Sequence, residues 1–157
     1  MRSAILTVAL ALLTTGTMQL AQSAPNIPTL DQVDRIGLWI NQAWQLEIKP
    51  DGSGRLEFGS SVADRARFPK KTFSFKEIYD LLVPHLAKEG TMQNATPVFL
   101  YIKGLPPGTP TYALLLHDKS IAKRIFSRAI NKSVPDNPKR FSELLAKYPP
   151  VPPDETK

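Results

Sequence analysis

The sequence predicts an α+β domain, an antiparallel sheet with helices packed mainly on one face. Two observations lead there. Strand pairs joined by turn-rich segments fall at about 43–58 and 97–117, and helical periodicities fall at about 30–36, 75–88, 120–131 and 138–147. Consecutive strands are close enough to pair as hairpins, with no obligatory crossover.

Thr29 followed three residues later by Gln32 is a capping box, and Leu30, Val33 and Ile36 share a helical face up to Gly37, which predicts a first short helix. From Ala43 the pattern changes. Trp44, Leu46 and Ile48 alternate with Gln45, Glu47 and Lys49, Pro50 to Gly54 supply turn residues, and Leu56 and Phe58 resume the alternation. Residues Gly59 to Lys71 are polar and read as a loop, or as an edge strand interrupted by Pro69.

Ser74 and Glu77 open a second helix carrying Phe75, Ile78, Tyr79, Leu82 and Leu86, with Pro84 forcing a kink or a break near Leu82. Val98 to Ile102 and Thr111 to His117 are apolar strands joined by the loop from Gly104 to Pro110, and they pair antiparallel. Asp118 or Ser120 caps a helix with the stripe Ile121, Ala122, Ile125, Phe126, Ala129 and Ile130. Asn137 and Pro138 start the last helix, which carries Phe141, Leu144, Leu145 and Tyr148.

Ahead of the domain, Arg2, an apolar run from Ala4 to Leu13 broken by Thr7, and the small residues Ala21 and Ser23 follow the order of a secretory signal peptide. Cleavage after Ser23 gives a signal at 1–23, a single domain at 24–148 and a flexible proline-rich tail at 149–157. The apolar run is shorter than the roughly 20 residues that a membrane-spanning helix needs. No cysteine follows it to carry a lipid, so the expected location is the periplasm or the exterior as a soluble protein.

Without its signal the chain carries 19 basic and 14 acidic residues, a net charge of +5. A positive balance attracts anionic partners, and export turns that attraction away from nucleic acid towards acidic proteins, lipid headgroups or glycans. The chain has no cysteine, which excludes disulfides, thiol nucleophiles and thiolate metal sites. Stability then rests on the core alone.

Several residue sets bear on chemistry. His85, His117 and Asp118 are the candidates for acid–base work, with Asp118 orienting an imidazole, although a helix cap accounts for Asp118 equally well. Ser53 lies in a glycine-flanked hairpin tip, not in a strand-to-helix elbow. Asp51, Gly52 and Ser53 open like a calcium loop but lack the later oxygen ligands, so neither metal nor cofactor is expected. Glu47 and Glu57 are placed to face each other across the hairpin, the pairing that retaining glycosidases use, but a short hairpin shows no cleft for it.

Lys119, Lys123, Arg124, Arg128 and Lys132 make one side of the third helix cationic, a docking surface for phosphate or carboxylate groups or a solvated face opposite the core. Pro106 and Pro107 stiffen an apolar loop that suits a recognition finger or, equally, a rigid hairpin connection. Of the two tryptophans, Trp44 is expected in the core and Trp39 on the opposite face.

Together these point to an exported non-catalytic binding protein, of an inhibitor or immunity type, acting on another exported or envelope protein. A small secreted hydrolase using His85 or His117 with Asp118 is the first alternative. The second is an electrostatic binder of anionic lipid or glycan surfaces.

Overall fold

A computed structural model describes residues 26–40, 43–59, 64–87, 95–106, 109 and 112–150. The expected signal segment and Pro107 lie outside the described residues, as do positions 151–157 of the tail. Pro150, at the start of that tail, is buried.

The strands are β1 (Val33–Ile40), β2 (Trp44–Ile48), β3 (Gly54–Phe58), β4 (Arg65–Phe68), β5 (Leu86–Ala87), β6 (Thr96–Ile102), β7 (Tyr112–Leu116) and β8 (Val134–Pro135). They form one sheet in the order β5, β7, β6, β1, β2, β3, β4, β8, and every pairing is antiparallel. Among the described residues there are three α-helices: α1 (Phe75–Leu82), α2 (Lys119–Lys132) and α3 (Pro138–Lys147).

Both expected hairpins are present, with Leu46 opposite Leu56 and Val98 opposite Leu114. What joins them is β1, and here the expectation of a helix at 30–36 fails. Only Leu30–Gln32 turns, as a single 3-10 turn in which the Thr29 N–H donates to Gln32 Oε1 at 3.0 Å. The chain then extends as a central strand paired with β2 on one side and β6 on the other.

The misreading has a physical source. The β1–β6 register shifts between Val33 and Arg35, and a bulge of this kind adds one residue to the alternation. Val33 and Ile36, three apart, therefore both point into the core, and their spacing imitates a helix. Within the segment at 59–71, Arg65–Phe68 is a strand inside the sheet, covered by β8, and it ends before Pro69.

In the second helical segment, Pro84 has no N–H to donate. α1 stops at Leu82, Val83–His85 tighten into a 3-10 turn, and Leu86–Ala87 become β5, so the helix expected to 88 ends six residues earlier. The helix starts follow the sequence: Ser74 accepts from the Glu77 N–H, Asp118 from the Ser120 N–H, and Asn137 from the Arg140 N–H.

One face of the sheet meets all three helices. Ile36, Leu38, Trp44, Leu46, Ile48, Leu56, Val98, Leu100 and Leu114 form one cluster with Ile78 and Leu82 of α1, Ile125 and Phe126 of α2, and Phe141 and Leu144 of α3. Trp44 is fully buried and sits edge-on to Phe58 and Phe141, with ring centroids 5.1 and 5.5 Å away.

Candidate functional site

The second face of the sheet contributes nothing to the helical core. Register places Arg35 opposite Tyr101, Gly37 between Phe99 and Glu47, and Trp39 opposite Gln45. Glu47 then faces Arg55, Gln45 faces Glu57, Arg55 faces Arg67, and Glu57 faces Arg65. None of these residues belongs to the buried cluster. Strand alternation alone puts them on one side, because each is one residue out of step with a core position.

This open face has two halves. Towards β6 and β7 it is apolar and aromatic: Trp39 leans on Phe99 with centroids 5.0 Å apart, and Ala113 and Leu115 continue the surface beyond Phe99 and Pro97. Trp39 is 37% exposed, unusual for so large an apolar group.

Towards β4 the face is charged. Arg35 Nη1 and Arg55 Nη2 both approach Glu47 Oε2, at 3.4 and 3.3 Å, while Arg55 Nε and Arg65 Nε both approach Glu57 Oε2, at 3.5 and 2.9 Å. Arg35 also meets Asp34 at 3.4 Å, so the ladder from β1 to β4 balances three guanidinium groups with three carboxylates. The side chains of Glu47 and Glu57 are only 14% and 13% exposed, whereas that of Arg55 between them is 42% exposed. Paired charges at this depth fix geometry more than they add stability.

Where the halves meet there is a shallow recess of about 50 Å³ lined by Gly37, Trp39, Gln45, Glu47, Arg55, Glu57 and Tyr101. Gly37 leaves it open: a Cβ there would lie 3.1 Å from Tyr101 Cε2. The Arg35 guanidinium sits over the Tyr101 ring at 4.8 Å. Burial, and then the nearby Glu47 carboxylate, push the Tyr101 hydroxyl above its ordinary pKa, so it remains a donor at neutral pH. The arrangement offers aromatic surface, an amide and balanced charge. Glu47 and Glu57 share a face but are not opposite each other: Glu47 stands across from Arg55 and Glu57 across from Gln45, and each carboxylate is bound by two arginines, which makes them structural partners and not a glycosidase pair.

The sequence-derived candidates lie elsewhere. In α2 the cations form two rows, Lys119 with Lys123 and Arg124 with Arg128 and Lys132, around the small polar residues Ser120, Ser127 and Asn131. Arg128 stands 5.4 Å over the Phe73 ring, and Lys123 has a partner of its own. Among the described residues no ion pair joins Lys119, Arg124, Arg128 or Lys132 to a carboxylate. The helices pack on the core face, so this surface and the open sheet face look in opposite directions.

His85 and His117 come to one edge of the sheet, each adjacent to the pair Leu86 and Leu116, and both are exposed. Asp118 caps α2, accepting from the Ser120 N–H at 2.9 Å and the Ser120 hydroxyl at 2.6 Å. Those bonds hold its carboxyl below the usual range, with the charge of His85 a smaller contribution. Neither histidine lines the recess. Pro106 and Leu105 are exposed at the start of their loop, after the turn at Gly104.

Among the described residues no cluster of three or more histidine, cysteine or acidic side chains could hold a metal ion, and no helix is long and apolar enough to cross a membrane.

The sequence conceals the open face because the spacing at 30–36 imitates a helix, which masks the alternation of Arg35 and Gly37 against Ile36 and Leu38. The alternation of Gln45, Glu47, Arg55 and Glu57 was visible, and it was the available signal. No protein-family model matches the chain, and no curated protein or solved structure matches it either.

Proposed function

We propose that this chain is a non-catalytic binding protein of the exported compartment, an inhibitor or immunity-type protein directed at an envelope or secreted protein, and that the open sheet face is its recognition surface. The observation that carries this reading is the face that, among the described residues, no helix covers, where Trp39, Phe99 and Tyr101 lie beside Arg35, Arg55 and Arg65. Tryptophan, tyrosine and arginine dominate the energetics of protein interfaces, because they bury large rigid area and still offer donors.

The ladder supports the same reading. Each guanidinium is already held in place by a carboxylate, so little side-chain entropy remains to be lost when a partner arrives. Its balanced charge favours orientation over bulk attraction. Against the hydrolase alternative, His85 and His117 lie on the exposed edge and the recess is lined by neither.

The test is affinity capture from an envelope fraction with the wild-type protein and with Trp39→Ala as parallel baits. One stoichiometric protein partner recovered by the wild type and lost by the variant is the expected result. Recovery of none, together with turnover of envelope polymers that His85→Ala or His117→Ala abolishes, would reverse the reading in favour of the hydrolase.

A further inference from the structure

The charge of this chain is segregated. Of 20 basic and 14 acidic residues, α2 holds five of the basic ones and Arg2 one more, which leaves 14 against 14 in everything else. The net charge of the domain is therefore the charge of one helix.

We propose that α2 is a docking surface for an anionic phospholipid bilayer, holding the chain at a membrane surface by its helical side while the open sheet face remains available to a partner. This is independent of the recognition reading above.

The helix is 14 residues long, about 21 Å, and contains no carboxylate. An ordinary solvated helix face intersperses both signs, since like charges four apart repel. Here Lys119 and Lys123, Arg124 and Arg128, and Arg128 and Lys132 all stand at that spacing with no acid between them. No carboxylate of the helix offsets this repulsion, which is understandable where an external anion supplies the compensation.

A bilayer suits the surface better than a protein does. The residues between the two rows are Ser120, Ser127 and Asn131, with no aromatic or large apolar anchor for a protein pocket to grip. A plane of diffuse phosphates needs only cations brought close together on one side. Two residues beyond Lys132, Val134 is 70% exposed, an apolar contact next to the cationic surface. The absence of an outward apolar stripe on α2 means adsorption at the headgroups, not insertion.

The test is co-sedimentation of the protein, in the form in which its producing cells deliver it, with vesicles of phosphatidylcholine alone or mixed with phosphatidylglycerol. Binding should require phosphatidylglycerol and weaken at least tenfold between about 50 and 300 mM salt. Each cation removed from the surface lowers partitioning about fivefold, so Lys119→Gln, Arg124→Gln and Lys132→Gln together should lower it roughly a hundredfold. Lys49→Gln, Lys70→Gln and Lys103→Gln together, with the same net charge change, should leave most of the binding in place. Circular dichroism checks that each variant is folded, and Arg124→Gln alone provides a milder version with an expected fivefold loss.

Equal binding to both vesicle types, no binding at low salt, or equal losses in the two triple variants would overturn the proposal. Binding to soluble polyglutamate but not to vesicles would also overturn it, by showing that the cations take an acidic polymer and not a bilayer.

Discussion

Trp39 lies against Phe99 on the face of the sheet that, among the described residues, no helix covers, with ring centroids 5.0 Å apart and planes tilted by 49°. The pair stands beside Gly37, which has no side chain to fill the space under Tyr101. An aromatic pair of this kind contributes about 1 kcal/mol beyond its area. Trp39→Ala should therefore lower stability by about 1 kcal/mol for the pair and by about 2 kcal/mol more for the area that Trp39 buries, while removing partner capture. Urea denaturation beside quantitative capture separates the two effects. That loss of stability with capture unchanged would mark Trp39 as structural instead.

Gly37→Ala tests the recess itself. The added methyl group would meet Tyr101 Cε2 at 3.1 Å, the far part of a side chain that can move by a few tenths of an ångström. The expected stability cost is about 1 kcal/mol. Partner capture should weaken measurably, since the methyl group fills the floor between Trp39 and Tyr101.

Gly54 and Gly59 should respond very differently to the same substitution. A Cβ on Gly54 would lie 1.9 Å from the Glu47 carbonyl oxygen and 2.5 Å from the Phe68 ring, so β2, β3 and β4 could not keep their spacing. Gly59 has φ of 63° and nothing within 4 Å of its would-be Cβ. Gly54→Ala should cost about 3 kcal/mol or more, and Gly59→Ala about 1 kcal/mol from backbone strain alone. Chemical denaturation of the two variants side by side provides the comparison.

Arg140 Nε donates to Asp64 Oδ1 at 3.1 Å, and the Asp64 side chain is only 11% exposed. Removing Arg140 strands a mostly buried carboxylate, whereas removing both groups strands nothing. Arg140→Ala should cost about 2 kcal/mol and the double variant with Asp64→Ala less than the sum of the two singles. A double-mutant cycle that adds without coupling would show the pair to be incidental.

Burial raises the pKa of both Tyr79 and Tyr101, with nearby carboxylates adding to the effect. The folded state therefore keeps these protons where the unfolded chain, at about pH 10, begins to release them. This contribution is complete below the unfolded value and is lost as pH rises through the folded one. Stability should fall on the alkaline side, and Tyr101→Phe should flatten that fall. Tyr79→Phe should flatten it too, at a cost near neutral pH of about 1 kcal/mol for the hydroxyl bond to the Pro28 carbonyl, which measures 2.6 Å. Denaturation midpoints at about pH 8 and pH 11 are the comparison to make.

Much of the fold was legible because the signals were local. The alternation around Trp44 and Leu56, the caps at Ser74, Asp118 and Asn137, and the break at Pro84 depend on neighbours in sequence. β1 was not legible, because the bulge after Val33 turned strand alternation into an apparent helical spacing that only pairing with β2 and β6 resolves. The candidate site followed the same division. Trp39 and the carboxylates Glu47 and Glu57 were visible one by one. The contacts of Trp39 with Phe99, and of Arg35 with both Glu47 and Tyr101, join segments far apart in sequence, and no local pattern carries them.

The most direct measurement is hydroxyl-radical footprinting of the free protein and of its complex with the captured partner. Trp39, Phe99 and Tyr101 should lose reactivity on binding while His85 and His117 keep theirs. Unchanged reactivity at Trp39, with protection confined to the histidine edge, would contradict the assignment of recognition to the open sheet face.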